Sequence, residues 1–306
     1  MNLIASFKKL ALDIFIVQNL GGIMNNILIA LNPSKDKSGE ILSKVVSQVK
    51  NVFNSAKIVV LNSYEISKYK FEEDFDIIIV LGGDGTLLGI ARDINERYDI
   101  PILGVNIGNL GFLSSIEIQE FDKALNKLKN KDYNIEERLL LKCNTNVDGQ
   151  DNTNRALNDI VIARGTLSRM AKFKVIVDNK LFNVFKGDGV IISTPTGSTA
   201  YSFSAGGPFV YPNVDVITIT PICSHTKGMQ SIVLNSNSEI EIISEIYNGE
   251  IYVTFDGQKA IAINDDTSIK ISSARKKAKI LLFNDYDYFK VLRKKIINNT
   301  EECEGD

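Results

Sequence analysis

An acidic side chain set between glycines is the first feature of this chain that could do chemistry. The segment Gly82-Gly83-Asp84-Gly85-Thr86 directly follows the apolar run at 75–81 and precedes a predicted helix. Glycines let the backbone approach a ligand closely, and the free N–H groups at a helix start attract phosphate oxygens. A carboxylate in such a loop repels bare phosphate, so it needs another task, either holding a magnesium ion or accepting a proton from a hydroxyl group. Both tasks indicate phosphoryl transfer.

A second group of polar side chains is concentrated in residues 187–208. There Gly187-Asp188-Gly189 leads a short apolar strand into a loop rich in Thr, Pro, Gly and Ser that ends at Tyr201. The hydroxyl and amide groups of such a loop can contact ribose, amide and phosphate oxygens, and a tyrosine ring offers a face to a planar base. The segment therefore predicts a nucleotide-binding loop. A hydroxyl-rich turn with Tyr201 in the core is the structural alternative.

At three places a structural role competes with the chemical one. Asp84 could serve only to cap the helix that follows it. Asn158 and Asp159 stand at the start of a predicted strand, where residues of these types more often form a turn. The basic cluster at 275–279 is more typical of a solvated surface than of a phosphate site.

The elements that must position these side chains alternate from Met24 to about Glu137. Apolar runs predict strands at 27–31, 57–61, 76–81 and 102–105, and amphipathic patterns predict helices at 39–53, 86–97 and 116–131. Strands alternating with helices indicate a parallel sheet, whose ligands gather at the carboxyl ends of the strands. Asp84 stands at such an end.

The pattern changes after Arg138 to short strand-like runs separated by turn pairs such as Asp178-Asn179 and Asp256-Gly257. Ten such strands are predicted, at 139–147, 158–163, 172–177, 190–193, 215–219, 231–234, 239–243, 251–255, 260–263 and 268–272. We therefore predict an α/β N-terminal domain with a Rossmann-like parallel sheet, followed by an all-β, sandwich-like C-terminal domain. The C-terminal tail is expected to return as a helix that packs on the first domain.

The predicted domains are 24–137, with 281–297 returning to it, and 138–280. Residues 1–23 and 298–306 are expected to be poorly ordered extensions, and Met24 is a second candidate for the translation start. The apolar stretch at 10–17 is too short to span a bilayer and is interrupted by Asp13.

Composition limits the kinds of binding partner and cellular compartment that the sequence supports. The chain has 306 residues, 44% of them hydrophobic, and a formal net charge of -2, which gives no general reason to expect nucleic acid or a membrane. Cys143, Cys223 and Cys303 lie far apart without a CxxC pair, so a disulfide framework and a zinc site are not supported and a cytoplasmic location is expected. No Gly-x-x-x-x-Gly-Lys-Ser/Thr loop is present, which disfavours a P-loop kinase.

The two motifs together resemble those of the NAD kinase family, and the resemblance extends from Met24 to about Lys295. Further segments that match lie at 104–113, 137–140, 156–162, 220–225 and 255–258. The Gly-Gly-Asp-Gly-Thr segment alone is shared with lipid kinases and phosphofructokinases, whereas the 187–208 segment is more specific.

The resemblance implies transfer of the terminal phosphate of ATP, or of polyphosphate, to the adenosine ribose 2′-hydroxyl of NAD, with Mg²⁺ or another divalent metal. Asp84 would be the catalytic proton acceptor, and Gly82, Gly83 and Thr86 would form the phosphate loop. The implied NAD-binding residues are Gly85, Phe112, Asn158, Asp159, Asp188, Thr199, Ala200, Tyr201 and Ser204. Asp188 would face the nicotinamide end, and no residue is assigned to the metal.

Many family members carry Glu where this chain has Asp159, so the reach of this shorter side chain stays open. The family also implies a homodimer or homotetramer. Two other functions are weighed against NAD phosphorylation: a lipid or diacylglycerol kinase that shares the glycine loop, and a nucleotide sensor that has lost its chemistry. Neither explains the polar loop at 187–208 together with a retained Asp84.

Overall fold

The computed structural model describes residues 24–71, 74–94, 98–108, 111–114, 116–147, 149–165, 170–226, 229–246, 249–264 and 267–297. The predicted extensions, 1–23 and 298–306, lie outside the described residues. Within the described part, three sheets form the framework, one mostly parallel and two antiparallel.

The first sheet has the strand order β2-β1-β3-β4-β19-β6, with the short β5 paired to β4. Its strands are β1 (Asn26–Leu31), β2 (Lys57–Asn62), β3 (Ile77–Gly82), β4 (Ile102–Asn106), β5 (Ile116–Glu117), β6 (Tyr133–Arg138) and β19 (Ala278–Phe283). All pairs are parallel except β19 with β6. The central strands are buried on both faces, which explains their continuous apolar runs.

Helices cover both faces of this sheet. Along β3, Ile77 and Ile79 belong to one core cluster and Ile78 and Val80 to the other, because successive side chains alternate in direction. Helices α1 (Glu40–Val52) and α3 (Phe121–Lys129) pack on the first face, and helix α2 (Asp84–Ile94) packs on the second. Helix α2 thus begins directly after β3.

The antiparallel strands form a sandwich whose two six-stranded sheets enclose one apolar core. One sheet contains β7 (Leu141–Val147), β8 (Gln150–Ala156), β10 (Ala171–Val177), β11 (Lys180–Gly187), β15 (Ile240–Glu245) and β18 (Ser268–Ser273). The other contains β9 (Asp159–Arg164), β12 (Gly189–Ser193), β13 (Val216–Ile222), β14 (Ile232–Asn235), β16 (Ile251–Phe255) and β17 (Lys259–Ile263). Phe173, Phe185 and Phe255 are the largest side chains of the core between them.

The predicted fold class is confirmed: a parallel α/β sheet is followed by an antiparallel sandwich, and the tail packs back on the first sheet. The tail returns chiefly as strand β19, which inserts between β4 and β6, and only then forms the short helix α5 (Tyr288–Leu292) and a π-helical turn, Arg293–Ile297. The alternation of Ala278, Ile280 and Leu282 with Leu281 and Phe283 between the two core clusters marks this segment as a sheet strand.

Other differences concern boundaries and missed strands. The predicted helix at 116–131 is shorter, because a strand and a 3₁₀ turn, Ile118–Glu120, precede α3. Strands β6, β8 and β11 were not predicted. β6 and β8 are rich in polar residues, and all three lie at the edges of their sheets, where a regular apolar pattern is not required. None of the helices that the structure describes is long and apolar enough to cross a membrane.

Candidate active site

A cavity of about 760 Å³ opens at the carboxyl edge of the first sheet. It lies where the chain order of the strands reverses, between β1 and β3, which is where open α/β sheets bind their ligands. Its lining comes from the loops after β1, β2, β3 and β4, from helix α2 and from one residue of the sandwich, Gln258. The lining residues are Asn32, Lys35, Ser63, Tyr64, Gly83, Asp84, Gly85, Thr86, Gly89, Arg92, Asp93, Gly111 and Gln258.

Asn32 ties the loops of this edge together. Its Nδ2 donates to Thr86 Oγ1 at 3.0 Å, and its Oδ1 accepts from Tyr64 Oη at 3.0 Å. The buried amide of one residue therefore joins the segments that follow β1, β2 and β3, which fixes the floor of the cavity. Sequence analysis assigned Asn32 no role.

The Asp84 carboxylate is held by the segment Phe112–Ser114. Its Oδ2 accepts the N–H of Phe112 at 2.6 Å, and its Oδ1 accepts the N–H of Leu113 at 3.1 Å and both the N–H and the hydroxyl of Ser114, each at 2.9 Å. Among the described residues, no N–H group of α2 donates to this carboxylate, so the capping alternative is not supported. Phe112, which the resemblance placed among the NAD-binding residues, contacts Asp84 through its backbone.

Gly111 is what permits this contact. A Cβ atom built on Gly111 would lie 1.9 Å from Asp84 Oδ1 and 2.3 Å from Oδ2, far inside van der Waals contact. The segment therefore reaches the carboxylate only because residue 111 has no side chain. The Asn-Leu-Gly-Phe motif was visible in the sequence, but its partner across the fold was not.

Two cationic and two anionic side chains face the cavity. Lys35 Nζ lies 2.8 Å from the position that a Cβ atom on Gly83 would take, so its charge sits against the glycine loop. Arg92, on α2, contacts Asp93 at 3.4 Å and Asp256 of the sandwich at 3.4 Å. The start of α2 and the two cationic side chains thus face the same cavity, an arrangement that suits phosphate groups.

The sandwich presents Asn158 and Asp159 at the start of β9. The Asp256 carboxylate accepts the N–H groups of Leu157 at 3.2 Å, Asn158 at 2.7 Å and Asp159 at 3.4 Å, which fixes this segment. Asp159 is only 4% exposed. Burial, and after it the negative charge of Asp256, raises the pKa of the Asp159 carboxyl to about 7.

The hydroxyl-rich turn packs against the same segment. Thr194 donates through its N–H to Asn158 O at 2.9 Å and through its hydroxyl to Leu157 O at 2.5 Å. A Cβ atom on Gly197 would lie 2.1 Å from Asn158 O, so a glycine is required for this close approach. Sequence analysis left the pairing of these two motifs to the resemblance; the structure brings them into contact.

The end of the turn, residues 199–204, is open to solvent. Thr199 and Ala200 are half-buried, Ser204 is exposed, and Tyr201, which begins the single-turn helix α4 (Tyr201–Ser204), is 47% exposed. Tyr201 is therefore not the core side chain of the structural alternative. By contrast, the hydroxyl of Thr196 is buried and has no hydrogen-bond partner among the described residues.

Asp188 lies at the other end of the same strand pair. Its carboxylate accepts from Arg164 Nε at 2.7 Å, and it precedes β12, whose far end, Ser193, is paired with Asp159. Asp188 and Ser193 are five positions apart along an extended strand, on the order of 17 Å. This separation is comparable with the length of a dinucleotide.

Carboxylates in the cavity do not form a metal cage. No group of three His, Cys, Asp or Glu side chains that could hold a metal ion occurs among the residues that the structure describes. Asp84 and Asp93 are the carboxylates that line the cavity. One or two carboxylates suffice for a Mg²⁺ ion that keeps its waters and arrives on substrate phosphates, so the donor set fits a metal of that kind.

Comparisons with known proteins agree with this geometry. The family model described as the ATP-NAD kinase N-terminal domain matches residues 25–133, and the model described as the ATP-NAD kinase C-terminal domain matches residues 157–283. The NAD kinase of Clostridium beijerinckii is 57% identical to this chain over 283 residues, which cover 92% of this chain and 99% of the relative.

Solved structures share the fold. An NAD kinase from Archaeoglobus fulgidus in complex with ATP aligns with a TM-score of 0.71 at 26% identity, over 88% of this chain and 98% of that one. Yeast NADH kinase complexed with NADH aligns with a TM-score of 0.79 at 23% identity, over 91% of this chain and 89% of that one, which supports the fold. The two family models and the 57% identical relative identify the chain as a member of the NAD kinase family.

Proposed function

We propose that Asp84 is the proton acceptor of this enzyme and that the cavity beside it holds the phosphates of the donor. The reaction is the transfer of the terminal phosphate of ATP to the 2′-hydroxyl group of the adenosine ribose of NAD, which yields NADP. The observation that carries the proposal is the fixed Asp84 carboxylate at the carboxyl edge of the first sheet, beside a cavity that the sandwich helps to line.

The hydrogen bonds of Asp84 leave it one suitable acceptor site. Oδ1 already accepts three hydrogen bonds, whereas Oδ2 accepts only the N–H of Phe112. Oδ2 can therefore take the hydrogen bond of the ribose hydroxyl and receive its proton as the oxygen attacks phosphorus. General-base assistance of this kind contributes roughly 10²–10⁴-fold to the rate.

The nucleoside of NAD is proposed to bind along the start of β9 and the solvent-exposed end of the turn, residues 199–204. The open face of Tyr201 supports stacking on a base, and the half-buried Asn158 side chain supports hydrogen bonding to the nucleoside. The proposed NAD-binding set is completed by Gly85, Phe112, Asp159, Thr199, Ala200 and Ser204. Asp188 is proposed at the nicotinamide end, which its distance along β12 supports.

The phosphates are proposed to lie over the glycine loop. Gly82, Gly83 and Thr86 form its backbone, and Lys35 and Arg92 supply positive charge from two sides. Phosphoryl transfer depends mainly on such positioning and charge stabilisation. A divalent metal ion such as Mg²⁺ would neutralise further phosphate charge; because Asp84 is taken up as the proton acceptor, Asp93 is the cavity carboxylate left to face it. The protein residues fix the geometry in which the ribose oxygen meets the phosphate.

Replacing the proposed base tests the mechanism directly. We expect Asp84→Asn to lower kcat by at least about 10²-fold, because the amide accepts no proton, while the affinity for NAD stays within a few fold. Steady-state formation of NADP and calorimetric titration with NAD measure the two effects. Turnover at the wild-type rate in this variant would show that another group takes the proton.

Acceptor and donor choice separate the remaining alternatives. Purified protein incubated with either NAD or diacylglycerol, in the presence of magnesium and ATP, should phosphorylate NAD alone. A lipid product without NADP would favour the lipid kinase. Absence of magnesium-dependent ADP formation with both acceptors would favour a sensor. Replacing ATP by polyphosphate in the same assay determines the donor, for which ATP or polyphosphate is proposed.

We also propose a homo-oligomer, a dimer or a tetramer. The two sheets of the sandwich end in strands whose apolar side chains face solvent: β11 exposes Leu181, Phe182 and Val184, and β14 exposes Val233. Such edges favour association with another sheet. The expected partners are otherwise NAD and the phosphate donor, without nucleic acid or membrane. The cytoplasmic location stays a prediction from the sequence.

A further inference from the structure

A chain of hydrogen bonds connects the two halves of the active site. It begins at the glycine loop, where the exposed Gln258 of the sandwich donates through Nε2 to the carbonyl oxygen of Gly85 at 2.6 Å. Gly85 is the residue after the proposed base. This contact joins the phosphate side of the cavity to the turn that follows β16.

Arg92 extends the connection from the opposite direction. Its Nη1 donates to Gln258 Oε1 at 3.3 Å and to Asp256 Oδ2 at 3.4 Å. Arg92 lies two turns along α2 from Asp84, and its side chain is 16% exposed. One nitrogen of a rigid, planar guanidinium group therefore contacts both sandwich residues.

Asp256 completes the connection to the nucleoside side. Its side chain is fully buried and accepts the three consecutive N–H groups of Leu157, Asn158 and Asp159. Asp256 and Gly257 have φ 52° and φ 63°, the left-handed values of a hairpin turn for which Asp-Gly is a favoured pair, and the Asp256 N–H donates to Asp159 O at 3.0 Å. The turn between β16 and β17 therefore presents the Asp256 carboxylate to the three amides at the start of β9.

We propose that Arg92, Asp256 and Gln258 are positioning residues that fix the distance and orientation between the phosphate loop and Asn158–Asp159. The inference rests on the proposed function of the two sides. The proposed base and phosphate site belong to the first sheet, and the proposed nucleoside contacts belong to the sandwich. The reacting oxygen and phosphorus therefore meet only if the two units keep a fixed distance and orientation. Gln258 bonds to Gly85 of α2, and Arg92 of α2 bonds to Gln258 and Asp256. Asp256 in turn fixes the amides of 157–159.

A kinetic experiment on the full-length enzyme tests the network. Gln258→Ala removes the link to Gly85 at an exposed site and should leave the fold intact. Arg92→Ala removes the contacts of the guanidinium group with Asp256 and Gln258, together with its contact to Asp93. We expect kcat to fall by roughly 10–10²-fold, because small misplacements of reacting groups are costly, while KM for NAD changes less than about threefold. Arg92→Lys keeps the charge but not the planar fork and should recover only part of kcat.

The matched control is Lys172→Ala, which removes an exposed ion pair with Glu245 on the sandwich, away from the network. Its kcat should equal that of the wild type. Thermal unfolding of every variant measures stability separately. If Gln258→Ala and Arg92→Ala retain wild-type kcat, or if kcat falls only in proportion to the folded fraction, the positioning role is wrong.

Hydrogen exchange keeps this test separate from the test of the function. If the wild type formed no NADP, the proposed function would fail, yet the network would still predict faster amide exchange at 157–159 in Arg92→Ala than in Lys172→Ala. Unchanged exchange in that segment would overturn the network itself.

Discussion

At the scale of the residue, the candidate site depends on the fixed orientation of one carboxylate. Asp84 receives donors from three consecutive residues, and this is possible because Gly111 leaves room for both of its oxygens. A second carboxylate, Asp159, occupies a different environment, buried beside Asp256. Each environment predicts its own response to mutation.

Gly111→Ala tests the orientation of Asp84. The added methyl group would lie 1.9 Å from Oδ1, so either the carboxylate or the segment 111–114 must move. We expect kcat to fall by roughly 10²-fold, since a displacement of about 1 Å has effects of this size. Ser114→Ala, which removes one of the three donors to Oδ1, should have a smaller effect. Equal activity of Gly111→Ala and wild type in the NADP assay would contradict the assigned geometry.

The raised pKa of Asp159 predicts a dependence of stability on pH. In the unfolded chain an Asp titrates near pH 4, and in the folded protein this group titrates at about 7. Between those values the folded state binds more protons, so the contribution of Asp159 to the free energy of unfolding is present below about pH 4 and is lost as the pH rises through 7.

Asp159→Asn removes this titration. The free energy of unfolding of the variant, relative to the wild type, should therefore increase between pH 5 and pH 8, by on the order of 1–3 kcal/mol, because a tenfold change in proton affinity corresponds to about 1.4 kcal/mol. Urea unfolding at several pH values measures it. Asp74→Asn, at an exposed position, is the control for the substitution itself. A difference that stays constant over this range would show that Asp159 is ionised throughout.

At the scale of the element, the tail strand β19 completes the first sheet. It pairs with β6 along six residues and also contacts β4, and its side chains enter both core clusters of the sheet. The first sheet is therefore assembled from segments on both sides of the sandwich in sequence. The predicted division at 137/138 and 280/281 stays a prediction, although the pairing of β19 begins at Ala278.

Truncation distinguishes a strand from a surface helix. A chain that ends at Lys277 lacks β19, so β4 and β6 lose their partner and the buried side chains of Ile280, Leu281 and Leu282; it should show no cooperative unfolding by circular dichroism. A chain that ends at Asp287 keeps the strand and should still unfold cooperatively. If the shorter chain unfolded like the longer one, β19 would not be integral to the sheet.

At the scale of the whole molecule, one unit supplies the cavity and the proposed base, and the other supplies the proposed nucleoside contacts. The apolar edges of the sandwich lie on β11 and β14, whereas the site lies at the start of β9 and at the edge of the first sheet. Association through those edges would leave the cavity accessible.

Light scattering tests the proposed oligomer. We expect a mass that is two or four times 33.9 kDa, because Leu181, 60% exposed on an edge strand, favours burial against another sheet. Leu181→Lys should lower the mass or raise the concentration needed for association. A monomer mass at all concentrations would contradict the proposal.

Local sequence patterns were sufficient to predict the fold class and part of the candidate site. The glycine loop after β3, the alternation of strands and helices, and the short β-runs after Arg138 depend on neighbours in sequence, so they predicted the fold class, the position of Asp84 at a strand end and the polar turn. Polar edge strands such as β8 carry no such pattern and were missed. Because parallel strands end at one edge of their sheet, the sequence also predicted the site at the carboxyl edge of the first sheet.

Only the tertiary structure decided which partners meet. The donors to Asp84 come from residues 28–30 positions away, and the network through Asp256 joins residues nearly 100 to more than 160 positions apart. No sequence period encodes such contacts, because they arise from loop closure and from the register of strands that pair over long distances. The sequence determined the chemistry that is available; the packing of the sandwich against the first sheet determined where it can occur.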